Sequence, residues 1–294
     1  MRDLLNGAAG RLLLIVVRGR LRLGERGARR LEAALAWLWF HVLRARRRVA
    51  ECNVRRAFGP ERDAAGLVRD SFRHWIAAFS GLLPLFRDGH AAYVRGTVVE
   101  GEAHLRAALA EGRGVIAVSA HFGPFPALGA VLPTLGATFA FLYRRPRGAP
   151  VARLFDEWLA RAGCGIIEDQ PRARAHARCL RARAPGEVGC QRVDQHYRAG
   201  APVSFLGTPA RTGLGAALLA ARSGAPLLPV VLFRLGNGGM RLVIEAPVAG
   251  PDTREREALA ACMARLTARV EAWIRESPAQ WFWMHRRWKD LDTS

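Results

Sequence analysis

A histidine at the end of an apolar run is the residue of this chain best suited to acid–base chemistry. The run 115–120 leads directly to His121 and is followed by Gly123 and Pro124, a pattern that predicts a buried strand and a sharp turn. Open α/β sheets place their chemistry at such strand ends. The next segment, 125–135, predicts a helix whose positive N-terminal end disfavours a charged imidazole. We therefore predict that His121 is a neutral general base, the alternative being a histidine that merely ends a strand.

Asp194 is the carboxylate best placed to orient that histidine. It ends the run 188–193, which predicts another strand, and parallel strands bring their carboxyl ends to one edge of the sheet. A carboxylate that holds an imidazole and stabilises its charged form is the third member of a catalytic triad. We predict that the two side chains lie within hydrogen-bond reach, directly or through one water. A helix or turn cap is the alternative role, and Glu168 and Asp169, after another short strand, are further candidates.

Several short motifs occur in a fixed order along the chain. The stretch around the histidine is S-A-H-F-G at 119–123. The other stretches are Arg47 to Val54 with Phe58-Gly59-Pro60, Tyr143-Arg144-Arg145, Arg161 with Gly163, Asp194-Gln195, Phe205 to Ala210, and Pro278 to Trp288. Together they resemble the motifs of the bacterial lipid A biosynthesis acyltransferases, the lauroyl and myristoyl transferase family, over residues 45 to 289.

This resemblance implies an O-acyltransferase. A fatty acyl chain would move from a thioester of acyl carrier protein or coenzyme A to a hydroxyl of a lipid A-type or lysophospholipid-type acceptor. His121 would act as general base and Asp194 would hold its ring. The thioester would be a co-substrate, with no bound cofactor and no metal. The implied location is the cytoplasmic face of a bacterial inner membrane, either peripheral or anchored through the N-terminus.

One position departs from the family pattern. The acid of the family's H-x4-D/E motif falls five residues after the histidine, where this chain has Pro126. Proline can neither orient an imidazole nor stabilise its charge. Either another carboxylate, with Asp194 as the best candidate, has taken over, or acylation is slow, or the protein does not acylate. The alternative to an enzyme is therefore a lipid-binding pseudoenzyme of the same fold.

Substrate-binding roles are predicted for residues near the ends of the sheet strands. Fixed guanidinium groups suit the phosphates of an acceptor or of the donor's phosphopantetheine arm, which makes Arg144, Arg145 and Arg161 candidates. A solvated helix end would explain Arg161 as well. The resemblance adds Gln195 and Gly123 to this set.

The charge of the chain is strongly positive. Its formal net charge is +20, and its first 50 residues hold twelve arginines against three acidic residues, a net +9. This balance favours anionic surfaces, whereas no apolar run reaches the ~18–20 residues needed to span a bilayer. We predict that residues 1–45 form basic, amphipathic, membrane-associated helices. A helix buried in the domain is the alternative.

Nucleic acid is a second class of partner that a basic chain could bind. The aromatic and basic cluster 281–288 could stack bases, but no recognised RNA-binding motif accompanies it. We therefore predict that the cluster packs and forms an interfacial rim, and that the protein has no specific nucleic-acid partner.

Predicted strands and helices alternate over the rest of the chain, with a strand at 202–206 among them. This order indicates an α/β fold with a largely parallel central sheet covered by helices on both faces, and we assign residues 46–294 to one acyltransferase domain. The five cysteines are odd in number and widely spaced, which predicts free thiols and no zinc site.

Overall fold

The computed structural model describes residues 22–82, 94–143, 156–157, 160–161, 164–168 and 187–291. The helices are α1 (Glu25–Leu38), α2 (Arg47–Phe58), α3 (Ala64–Ser80), α4 (Glu102–Ala110), α5 (Leu128–Val131), α6 (Gly215–Ser223) and α7 (Arg256–Glu276). The strands are β1 (Val98–Glu100), β2 (Val115–Ser119), β3 (Thr138–Tyr143), β4 (Gly165–Glu168), β5 (Glu187–Arg192), β6 (His196–Phe205), β7 (Thr208–Thr212), β8 (Leu227–Arg234) and β9 (Met240–Ile244). A π-helical turn spans Trp39–Leu43, and 3₁₀ turns span Phe125–Ala127, Leu132–Leu135, Pro278–Gln280 and Lys289–Leu291.

The central sheet has the strand order β1-β9-β8-β2-β5-β3-β4. Its neighbouring strands are parallel except for the antiparallel pair β8 and β9, which confirms the predicted largely parallel α/β sheet. The predicted strand 202–206 does not belong to it. Residues 202–205 lie in β6, which pairs with β7 as a separate antiparallel hairpin, and Leu206 lies in the turn that follows β6. The alternating pattern was therefore misassigned there, because a strand's own sequence does not specify its partner.

Both faces of the sheet are buried at β2. Successive side chains of a strand point to opposite faces. Val115 and Ala117 join an apolar cluster with α4 and α5, whereas Ile116 and Val118 join a second cluster with α3, α6 and α7. Helices thus cover both faces of this strand and fix the position of its carboxyl end.

The segment 125–135 is less regular than the predicted helix. It consists of the turn Phe125–Ala127, the single helical turn α5, and the turn Leu132–Leu135. Pro133 has no N–H with which to continue an α-helical ladder. Gly136, in the left-handed conformation at φ 83°, then ends the segment.

The described part of the N-terminal region packs against α3. Phe40, in the π-helical turn, is buried and meets the Phe72 ring edge-on at 6.0 Å, and Ser80 donates a 2.5 Å hydrogen bond to Glu32. Within the described residues, none of the helices has the length and apolarity that a bilayer span requires. Membrane association of residues 1–45, and the domain boundary after residue 45, remain predictions.

Candidate active site

Parallel pairing of β2 with β5 brings the predicted base and acid together. Ser119, the last residue of β2, is in register with Arg192, the last residue of β5. The Val193 N–H extends this ladder by donating to the Ser119 carbonyl at 3.1 Å. His121 and Asp194 each follow their strand by two residues, so both lie at the same edge of the sheet.

The predicted contact between these two side chains is confirmed. Asp194 Oδ1 lies 2.9 Å from His121 Nδ1, and Asp194 Oδ2 accepts the His121 backbone N–H at 2.9 Å. The carboxylate is almost fully buried, at 2% exposed, whereas the imidazole is 19% exposed. Since a carboxylate only accepts, Nδ1 carries the proton. The other ring nitrogen, Nε2, is left with its lone pair.

The ionisation of the pair suits a base held by a charged carboxylate. Burial by itself would raise the pKa of Asp194, but the adjacent His121 and the hydrogen bonds that Asp194 accepts hold that pKa well below its usual range. Burial lowers the pKa of His121; Asp194 opposes this effect and the charge of Arg192 adds to it. The imidazole is therefore neutral near pH 7 while the carboxylate is ionised.

Aromatic and amide groups surround the imidazole. The Phe125 ring meets it edge-on at 5.1 Å, and the Phe282 ring lies 6.5 Å away. The Phe282 N–H also donates to the His121 carbonyl at 3.0 Å. Gln195 Nε2 lies 3.3 Å from His121 Nε2, which places an amide donor at the lone pair. The predicted residue Gln195 is thus brought to Nε2 of His121.

The family model described as bacterial lipid A biosynthesis acyltransferase matches residues 6–290. The chain belongs to this family. The resemblance stated from the motifs is therefore confirmed, and the chain is a member of a family of acyltransferases.

Individual relatives are more distant. The lipid A biosynthesis lauroyltransferase of Escherichia coli (strain K12) is 30% identical over 199 residues, which cover 66% of this chain and 62% of that protein. The phosphatidylinositol mannoside acyltransferase of Mycobacterium tuberculosis (strain CDC 1551 / Oshkosh) is 27% identical over 235 residues, covering 76% and 69%. A crystal structure of the 1-acyl-sn-glycerophosphate (LPA) acyltransferase PlsC from Thermotoga maritima covers 86% of this chain and 99% of its own at 18% identity. Its TM-score of 0.41 is too low to support a conclusion.

This family member obtains the carboxylate beside its histidine from another strand. Pro126, at the position of the family's acid, is buried in the turn Phe125–Ala127. Its side chain has no polar atom. Asp194 on the β5 side instead contacts both the ring and the backbone N–H of His121.

Trp281 is the contact that sequence reasoning missed. Its indole N–H donates to Asp194 Oδ2 at 2.9 Å, so the acid is held by the C-terminal segment as well as by His121. The cluster 281–288 packs as predicted, with Trp281, Trp283 and Trp288 buried. The polar end of a tryptophan in a buried cluster usually finds a partner, but the sequence does not say which one.

The structure does not test the roles predicted for the arginines. Arg144 and Arg145 lie outside the described residues, and Arg161 occupies an exposed helical position, so their roles remain predictions. Arg192, not selected from the sequence, lies over the Phe125 and Phe141 rings at 5.2 and 5.4 Å. Its place at the end of an apolar run, two residues before Asp194, was the signal that could have identified it.

No metal site is visible in the part of the chain that the structure describes, where no three His, Cys, Asp or Glu side chains cluster as ligands would. Cys52, Cys164, Cys190 and Cys262 are free thiols, as predicted, and Cys179 lies outside the described residues.

Replacing Trp281 with phenylalanine is expected to weaken the site while preserving its packing. Trp281→Phe removes a donor to a buried carboxylate, an interaction worth roughly 1.5–3 kcal/mol, and should raise the pKa of Asp194. Denaturant unfolding and kcat/KM for acyl transfer would measure the two effects. Trp288→Phe is the matched control, because its indole donates to the neutral Thr208 carbonyl. Equal losses of activity in the two variants would contradict a specific role for Trp281.

Gly123 has a structural role next to the histidine. Its φ is 55°, and a Cβ atom there would lie 2.1 Å from the Leu232 carbonyl oxygen. Its N–H already donates to the Gln280 carbonyl at 2.9 Å, so that group does not face a substrate. The predicted substrate-binding role of Gly123 stays a prediction.

Gly123→Ala is expected to destabilise the protein by more than the ~1–2 kcal/mol that a left-handed alanine costs, because the new methyl group also meets backbone. Gly136→Ala separates the two effects: Gly136 has φ 83° and open space around its missing Cβ. Urea denaturation would give both free energies of unfolding. Similar values for the two variants would contradict the predicted backbone clash.

Proposed function

We propose that this protein is an O-acyltransferase that moves a fatty acyl chain from a thioester of acyl carrier protein or coenzyme A to a hydroxyl of a lipid or glycolipid. The observation that carries the proposal is the 2.9 Å contact between Asp194 and His121 Nδ1 in a member of an acyltransferase family. That contact leaves Nε2 of a neutral imidazole as a general base.

In the proposed reaction the acceptor hydroxyl displaces the Gln195 amide from His121 Nε2. Nε2 takes the hydroxyl proton as the oxygen attacks the thioester carbon, and the C–O bond forms. Collapse of the tetrahedral intermediate breaks the C–S bond, and the thiolate takes the proton from Nε2. Asp194 remains ionised throughout and stabilises the transient imidazolium. Arg192, whose charge already acts on His121, is our candidate to offset the charge of the intermediate.

We infer the acceptor class from the relatives. Their names specify lipid A and phosphatidylinositol mannoside, both of which are sugar-bearing lipids. We propose that the acceptor of this protein is also a sugar-bearing lipid, and we do not assign one particular lipid.

The second candidate function is that of a lipid-binding pseudoenzyme. Pro126 favours it, because the family's acid is absent at that position. Both candidate functions require lipid binding, but only the acyltransferase would transfer an acyl group.

The decisive experiment supplies purified protein with long-chain acyl-CoA or acyl-acyl carrier protein and, separately, a lysophospholipid, a lipid A precursor and a phosphatidylinositol mannoside. Mass spectrometry should detect one acceptor heavier by an acyl group. Lipid mass spectrometry of a deletion strain should show the matching product lost. Lipid binding without transfer to any acceptor would support the pseudoenzyme instead.

We also propose that the protein binds the cytoplasmic face of the inner membrane, either peripherally or through an N-terminal anchor. Trp37, Val42 and Leu43 support this proposal, because 57–63% of each residue is exposed. They lie beside the basic residues Arg44 and Arg46. Apolar side chains next to arginines are typical of a surface that enters the headgroup region of an anionic membrane.

Replacing these three apolar side chains is expected to weaken binding to anionic vesicles by more than about tenfold, since each buried apolar side chain contributes roughly 1.5–3 kcal/mol. The variant is Trp37→Ser/Val42→Ser/Leu43→Ser, measured by vesicle flotation. It is preferable to deleting residues 1–45, which would also remove the buried Phe40. Val98→Ser/Leu291→Ser, at exposed apolar positions elsewhere, is the control and should bind normally. Unchanged binding by the triple variant would contradict this surface.

A further inference from the structure

A large basic groove lies between the N-terminal turns and the C-terminal segment. Its volume is 1290 Å³. Six of its lining residues are basic, namely Arg44, Arg46, Arg47, Arg48, Arg286 and Lys289, and one, Glu51, is acidic. Aromatic and thioether side chains, including Trp39, Phe282 and Met284, complete the wall.

Most of this charge is not neutralised by the residues that the structure describes. Glu51 forms an ion pair with Arg47, in which Arg47 Nε lies 2.7 Å from the Glu51 carboxylate. Arg44 donates to the backbone carbonyl of His41. The remaining four, Arg46, Arg48, Arg286 and Lys289, form no ion pair with any residue that the structure describes. Clustered like charges repel one another, and a bound anion would relieve this cost.

The backbone adds to the positive potential. Arg46 is the N-cap of α2, with no side-chain cap and no acidic residue in the first turn. The positive end of the helix dipole therefore lies at the basic cluster, where arginine is unfavourable unless an anion is present.

The groove and the candidate active site share a wall. Phe282 lines the groove, and its ring lies 6.5 Å from the His121 ring. His285 also lines the groove. Burial lowers the pKa of His285 to about 4, so this side chain is neutral near pH 7 and the arginines and lysine supply the charge.

We propose that this groove binds the phosphate groups of a membrane-lipid headgroup and thereby presents the acceptor hydroxyl to His121. The proposal rests on the function proposed above. Guanidinium groups match phosphate oxygens in geometry and charge. The volume exceeds the ~300–1000 Å³ of ordinary small-molecule sites, so it accommodates a headgroup larger than one phosphate, such as a phosphorylated sugar.

The membrane is the favoured source of this phosphate. The exposed residues Trp37, Val42 and Leu43 lie within the seven positions before Arg44 in the chain. Their insertion into the headgroup region would hold the groove at the level of lipid phosphates. Binding of a soluble phosphate compound would not require this exposed apolar surface.

The test measures binding by calorimetry, with short-chain phosphatidic acid, inorganic phosphate and coenzyme A as separate probes. Phosphatidic acid should bind the full-length protein more tightly than either of the others. Arg46→Ala/Arg286→Ala should weaken that binding by at least about tenfold, because charge-assisted hydrogen bonds are lost. Arg254→Ala/Arg275→Ala, at exposed positions outside the groove, removes the same charge and should bind as the wild type does.

Three results would overturn the proposal. The two double variants could weaken phosphatidic acid binding equally, the protein could bind inorganic phosphate as tightly as phosphatidic acid, or it could bind coenzyme A but not phosphatidic acid. His121→Ala should bind phosphatidic acid normally, so this experiment does not depend on turnover. Acyl transfer with an unchanged acceptor KM in Arg46→Ala/Arg286→Ala would refute the groove and leave the proposed function standing. Binding without any transfer would refute the proposed function and leave the groove standing as a lipid site.

Discussion

His121→Ala is expected to abolish detectable acyl transfer, because loss of a positioned general base typically costs about 10²–10⁴ in rate. The imidazole follows β2, and 19% of the side-chain surface is exposed. The fold should therefore tolerate a smaller side chain at this position. Release of free thiol from the thioester donor would measure the rate, and denaturant unfolding would verify the fold.

The matched control is His104→Ala, at a position on α4. It removes the same side chain from a helix that contributes nothing to the described site, and its activity should equal that of the wild type. A His121→Ala protein that folds normally and keeps its rate would refute the assignment of His121 as the base.

Asp194→Asn is expected to be almost as severe, with kcat reduced by up to about 10⁴, the loss seen when a triad aspartate becomes asparagine. The amide nitrogen of asparagine is a donor, and placed against His121 Nδ1 it favours the tautomer with the proton on Nε2. In that tautomer Nε2 has no lone pair with which to accept the hydroxyl proton. The acceptor KM should change little, because binding does not involve Nδ1.

Nitrogen chemical shifts of the His121 ring would report this change of tautomer directly. Asp290→Asn is the control, since Asp290 is an exposed carboxylate 3.9 Å from another histidine, His196. It should retain full activity. A rate for Asp194→Asn within a few-fold of the wild type would mean that a different acid supports His121, or that none is needed.

The position of the acid explains how this chain can depart from the family motif without losing a carboxylate partner. Pro126 lies in a 3₁₀ turn close to the histidine in sequence, whereas Asp194 approaches from a different strand. Asp194 accepts hydrogen bonds from the His121 backbone and from Trp281 in addition to its ring contact. With both oxygens engaged, the carboxylate has a fixed orientation that does not depend on position 126.

The sequence by itself determined the strands that carry the candidate site. Apolar runs at 115–120 and 188–193 predict buried strands, and parallel strands end at one edge. The pairing of His121 with Asp194 therefore followed from local pattern together with a general rule of sheet topology. The in-register pairing of β2 with β5, which the structure supplies, then placed the two residues side by side.

Only the tertiary structure decided the contacts that complete the site. Trp281 bonds to Asp194 across 87 positions of sequence, and the basic groove joins residues 39–51 to residues 282–289. The hairpin of β6 and β7 is likewise separate from the sheet to which its sequence pattern had assigned it. Periodicity encodes which face of a strand or helix is buried, but not which distant element covers it. Such pairings depend on the packing of the whole chain.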